Sequence, residues 1–197
     1  TSDGLPSYVD AKEVTCAQCS SNAGPTYVRW GRRTCPLAAT LVYSGVAAGA
    51  DSRETGGGYN FQCLHESPAY GEVSTAATPD ASRLYRAEYE TAGLALWSLW
   101  HLQNMDVPCA VCQTTGSLSV YMQPGSASCR SGWSVEYAGI VMAAPEHMRR
   151  SEYVCVDTEA EAVATASGGD PSKNTKSARL APVEVMHEPG STVQGYN

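Results

Sequence analysis

The chain has 197 residues, 43% hydrophobic and 17% charged, which is apolar enough for a packed core and excludes a chain disordered throughout. The net charge is −7 and no basic run exceeds a pair (Arg32–Arg33, Arg149–Arg150), which argues against a nucleic-acid partner. No apolar run reaches the roughly 18 residues of a membrane-spanning helix.

The opening TSDGLPSYVD has no apolar signal-peptide core, so a secreted form is expected to be a mature chain. It contains no Asn-x-Ser/Thr sequon, so no N-linked glycan is expected. Alternation and β-branched or aromatic residues then predict strands at Thr26–Trp30 and Thr40–Val46, with another at Tyr59–Leu64. Gly56–Gly57–Gly58 reads as a turn, being too short and poorly placed to cradle phosphate. Glu72–Ser82 is a predicted surface loop. Ala92–Met105 is the one helical candidate, because Leu96, Trp97, Trp100, His101 and Met105 fall on one side of a helix. Beyond it, strands are predicted at Ser117–Met122, Ser134–Met142 and Tyr153–Val156. Turns at Pro124–Gly125 and Ser131–Gly132 separate them, and a second loop covers Thr165–Ala178.

Eight cysteines in a chain of this size point to an oxidising, extracellular compartment. Their spacing repeats. Cys16 and Cys19 stand 93 positions before Cys109 and Cys112; Cys35 stands 94 before Cys129, and Cys63 stands 92 before Cys155. EVTCAQC answers DVPCAVC. Tyr43 and Gly45 follow Cys35 at the offsets at which Tyr137 and Gly139 follow Cys129, and Leu84–Glu88 answers Leu180–Glu184. One period means two copies of one unit. We therefore expect a single domain, 1–197, of two repeats: 14–106, and 107–197 with 1–13.

On these residues the chain resembles two related groups. CAVC, an alternating strand and CRSGWSVEYAGIVM resemble the centre of the non-collagenous C-terminal domain of collagen IV. YVRWGRRTCP, LVYSGVAAG, GGGYNFQCL, AEYE, VPCAVC and YVCVD resemble still more the C-terminal domain of sponge short-chain collagens, the spongin type of marine invertebrates. The resemblance covers most of residues 13–160. It implies an extracellular, non-enzymatic, all-β fold with a minor helix, made of two pseudo-symmetric disulfide-linked halves. It also implies nested pairings, Cys35–Cys112 and Cys63–Cys109, and by symmetry Cys19–Cys129 and Cys16–Cys155. The chain departs from the family in two ways. It has no Gly-X-Y tract, so it forms no triple helix. Its first CxxC also stands at the start, an order that resembles a circular permutation.

The remaining motifs weigh against catalysis. Neither CxxC opens a predicted helix, and four further cysteines favour disulfides over a Cys₄ zinc site or thioredoxin-like exchange. His65, His101, His147 and His187 lie in no hydrolase motif. Asp157, Glu159 and Glu161 alternate as calcium ligands would, but a solvated strand edge accounts for them more simply. Trp30 and Trp133 suit burial beside a disulfide better than a sugar-stacking role. The aromatic segment LALWSLWHLQNM is the informative feature. It is read as a groove or oligomer interface in which Trp97, Trp100, His101 and Met105 bind an apolar small molecule. The expected function is therefore a secreted, non-catalytic carrier, for instance of a carotenoid-like pigment, acting as a homo- or hetero-oligomer. The alternatives are a matrix assembly module and a glycan-binding lectin.

Overall fold

The computed structural model describes residues 13–71, 80–92, 99–116, 119–163 and 176–186. Among them the chain is nearly all-β, with strands β1 (Thr26–Trp30), β2 (Thr40–Gly49), β3 (Gln62–His65), β4 (Tyr85–Tyr89), β5 (Pro108–Gln113), β6 (Gly139–Ala143), β7 (Val154–Asp157) and β8 (Ala178–Pro182). They form one sheet in the order β3-β2-β4-β8-β6-β7-β1-β5, and β2 also pairs with β5, so the order closes on itself. The enclosed core is built on Tyr89, Leu99, Val107, Met142, Val156 and Leu180, all buried. No helix among the described residues is long and apolar enough to cross a membrane.

The sequence offsets recur in three dimensions. Ala48 and Gly49 of β2 face Arg86 and Tyr85 of β4, while Met142 and Ala143 of β6 face Pro182 and Ala181 of β8. Ala47 faces Cys63 across β2–β3, and Val141 faces Cys155 across β6–β7. The Tyr-x-Gly pattern explains why these crossings are alike. The Tyr43 hydroxyl donates to the Cys63 carbonyl at 2.9 Å, and the Tyr137 hydroxyl donates to the Cys155 carbonyl at 2.9 Å. A Cβ at Gly45 would stand 2.1 Å from the Leu64 carbonyl oxygen, and one at Gly139 2.2 Å from that of Val156. Only glycine permits so close an approach. Each half therefore makes the same crossing by the same two residues.

Three elements differ from the sequence reading. The helix expected over Ala92–Met105 has its middle, 93–98, outside the described residues; the described remainder is a single 3₁₀ turn, Trp100–Leu102. Its end has a local cause. The Gln103 side-chain carbonyl accepts the Thr91 and Ala92 N–H groups, and Asn104 takes a left-handed φ of 58°, so the chain turns out of the helix. No strand forms over Ser119–Met122, and the strand expected from Ser134 begins only at Gly139. β5, which carries the second CxxC, lies in the sheet between β1 and β2.

Candidate functional site

The first half is closed by β5. Its residues run antiparallel to all of β1, from Thr26 opposite Gln113 to Trp30 opposite Cys109, and it also pairs with β2 from Thr40 to Val46. Two bonds fix it there: Cys35–Cys112 and Cys63–Cys109. Covered in this way, Tyr27–Trp30 is half-buried to buried, and Trp30 is 8% exposed with Phe61 against its ring edge.

The second half has no such strand among the described residues. By the cysteine offset, Val120–Pro124 corresponds to β1. It carries no ladder pairing, and Val120, Tyr121 and Met122 are exposed. Trp133 is 43% exposed, with its ring edge-on to Tyr121 at 4.7 Å. The expected burial of Trp133 beside a disulfide is therefore not found, and no strand among the described residues covers it. Tyr121 and Trp133, with Ser119, Val120, Gln123 and Arg130, line an open groove of about 430 Å³. The two sulfurs belonging to this half, Cys129 and Cys155, are half-buried thiols, and Cys16 and Cys19 are exposed thiols. The expected bonds Cys19–Cys129 and Cys16–Cys155 are thus absent. The CAQC segment that would carry them stays on the first half, where Thr15 bonds Ala69. Burial, and next the Asp157 carboxylate, push the Cys155 thiol above its ordinary pKa.

The two halves meet at Tyr137. Its ring stacks on Tyr27 at 6.2 Å, and its hydroxyl also reaches the Val28 carbonyl at 3.2 Å. Arg29 lies over the same ring and donates to buried Asp157 at 2.7 Å. This pair occupies the carboxylate that the sequence offered to calcium. The Glu161 carboxylate accepts the Arg33 N–H at 2.7 Å. Among the described residues no group of three His, Cys, Asp or Glu is placed to hold a metal.

The expected aromatic site is only partly brought together. Trp97 lies outside the described residues. Trp100 is 62% exposed and meets His101 edge-on, His101 is exposed, and Met105 is half-buried against the core. His65 accepts the Ser67 N–H on Nδ1, His147 is exposed and His187 lies outside the described residues. The Tyr121–Trp133 groove was not singled out in the sequence. Its signal was the offset from Cys129, which makes Val120–Pro124 the counterpart of Thr26–Trp30. No protein-family model and no solved structure matches the chain.

Proposed function

We propose that the chain is a secreted, non-catalytic assembly module of the extracellular matrix that self-associates through the Tyr121–Trp133 groove. The observation that carries this reading is the unequal filling of two like halves. The edge closed by β5 in the first half lies open and apolar in the second. An unpaired, apolar segment beside a sheet is a template for adding another chain's strand. Disulfides suit an oxidising compartment. The resemblance to the spongin-type domain implies the same matrix role.

The geometry favours assembly over the carrier. A small apolar ligand needs a site that encloses most of its surface, whereas this groove lies open. Trp100 is mostly exposed. Sedimentation velocity over a concentration series tests the proposal. The wild-type chain is expected to gain mass with concentration, and the Tyr121→Ser/Trp133→Ser variant to remain monomeric. A wild type that stays monomeric, or a double variant that associates equally well, contradicts it. Stoichiometric uptake of a carotenoid that Trp100→Ala abolishes would favour the carrier instead.

A further inference from the structure

The open half lacks one strand, and the chain displays a matching one. Residues 13–22 are exposed throughout, including both cysteines of the CAQC sequence. This segment is the sequence counterpart of β5, the strand that closes the first half. Donor and acceptor are thus both uncovered in the same fold.

The segment is held on the first half at both ends. Gly71 N–H donates to the Glu13 carbonyl at 3.0 Å, and the Thr15 hydroxyl donates to the Ala69 carbonyl at 2.9 Å. A similar tether precedes β5, where Val163 N–H donates to the Asp106 carbonyl at 3.1 Å. At its far end, the Ser21 hydroxyl accepts a hydrogen bond from Gln113 Nε2 at 2.7 Å, and past it Thr114 N–H donates to the Pro25 carbonyl at 3.1 Å. Between these clamps, Cys16–Ser20 is an exposed bow with no ladder pairing. Its own second half receives none of it.

We propose that this bow, supplied by a second copy of the chain, is the strand that fills the groove. The proposal rests on the assembly reading and names the occupant of that site. The β1–β5 register, carried across by the repeat offsets, sets the strand antiparallel to Val120–Pro124, with Ser20 opposite Val120 and Cys16 opposite Pro124. Pro124 then falls at the end of the strand, where its missing N–H is tolerated. Seating the bow covers Tyr121 and Trp133 and brings Cys19 to Cys129 and Cys16 to Cys155 of the other copy, as Cys112 meets Cys35 and Cys109 meets Cys63. Bond formation needs an oxidant, here a small disulfide such as oxidised glutathione. For each new bond, two thiols lose two protons and two electrons, and the small disulfide leaves as two thiols.

The test mixes unlabelled and ¹⁵N-labelled chains with oxidised glutathione and maps peptides by mass without reduction. The expected result is mixed light–heavy peptides joining Cys16 to Cys155 and Cys19 to Cys129, with Cys35–Cys112 and Cys63–Cys109 intact. These mixed peptides should be lost in Tyr121→Ser/Trp133→Ser, whose thiols are unchanged. Bonds of the same pairing confined to light–light and heavy–heavy peptides mean that the strand closes its own half, and overturn the proposal. Indiscriminate links among Cys16 and Cys19 overturn it as well. Sedimentation under reducing conditions separates this failure from that of the assembly reading. If the wild type still associates through the groove but yields no mixed peptides, only the occupant is wrong. If it never associates, both readings fall.

Discussion

Gly45 and Gly139 have no room for any side chain, since a Cβ at either would press into a carbonyl of the neighbouring strand. We expect Gly45→Ala and Gly139→Ala each to destabilise by about 3 kcal/mol or more, as overpacking against backbone does. Tyr43→Phe loses a hydroxyl bonded to one carbonyl and Tyr137→Phe a hydroxyl shared between two, and each should cost about 1 kcal/mol or slightly more. Urea unfolding of the four variants checks both expectations. The Tyr-x-Gly pattern was legible because two residue types do one geometric task twice. Asp106 behaves differently. Burial raises its pKa from the ordinary 3.8 and outweighs the opposing Arg86 guanidinium at 2.8 Å. The folded state therefore holds this proton more tightly than the unfolded one. The stability so gained is full below about 3.8 and is lost as pH rises through the raised value. Wild type minus Asp106→Asn, measured by unfolding across this range, should shrink as pH rises. A difference that grows with pH would contradict the assignment.

A strand is only as legible as its partner. Thr26–Trp30 and Ser117–Met122 both alternate in sequence, yet the first is a strand and the described part of the second, Ser119–Met122, is not, because only the first is paired with β5. Local pattern fixes what a segment can do, and pairing decides whether it does so. The helix expected over Ala92–Met105 fails in its described part for a similar reason: the Gln103 side chain bonds backbone N–H groups outside the turn. The place of CAVC beside Cys35 and Cys63 came from the resemblance to the collagen IV domain and not from local pattern, which marks no partner for it. Removing the staple tests how much of the fold β5 carries. The Cys63–Cys109 bond spans 46 positions and both sulfurs are buried. In the loop-entropy model, its loss as Cys63→Ala/Cys109→Ala costs about 4 kcal/mol. Thermal unfolding should show a lowered Tm, and an unchanged Tm would mean that pairing with β1 and β2 suffices to hold β5.

At the scale of the molecule, the sequence announces two like halves and the structure fills them unequally. The groove followed from this inequality and was not visible in composition, because Trp133 and Tyr121 are ordinary core aromatics wherever a strand covers them. Trp100 drew attention in the sequence for its aromatic neighbours, but it is mostly exposed. The most direct measurement is amide hydrogen exchange, read by mass at low and high protein concentration under reducing conditions. Protection reports local opening. In the dilute monomer, Tyr27–Trp30 should exchange slowly under β5, while Val120–Gln123 and Ser134–Tyr137 exchange quickly. On raising the concentration, the second-half segments should become protected and Tyr27–Trp30 should not change. Equal protection of Tyr27–Trp30 and Val120–Gln123 in the dilute monomer, or no gain with concentration, would contradict the account of one closed half and one open half.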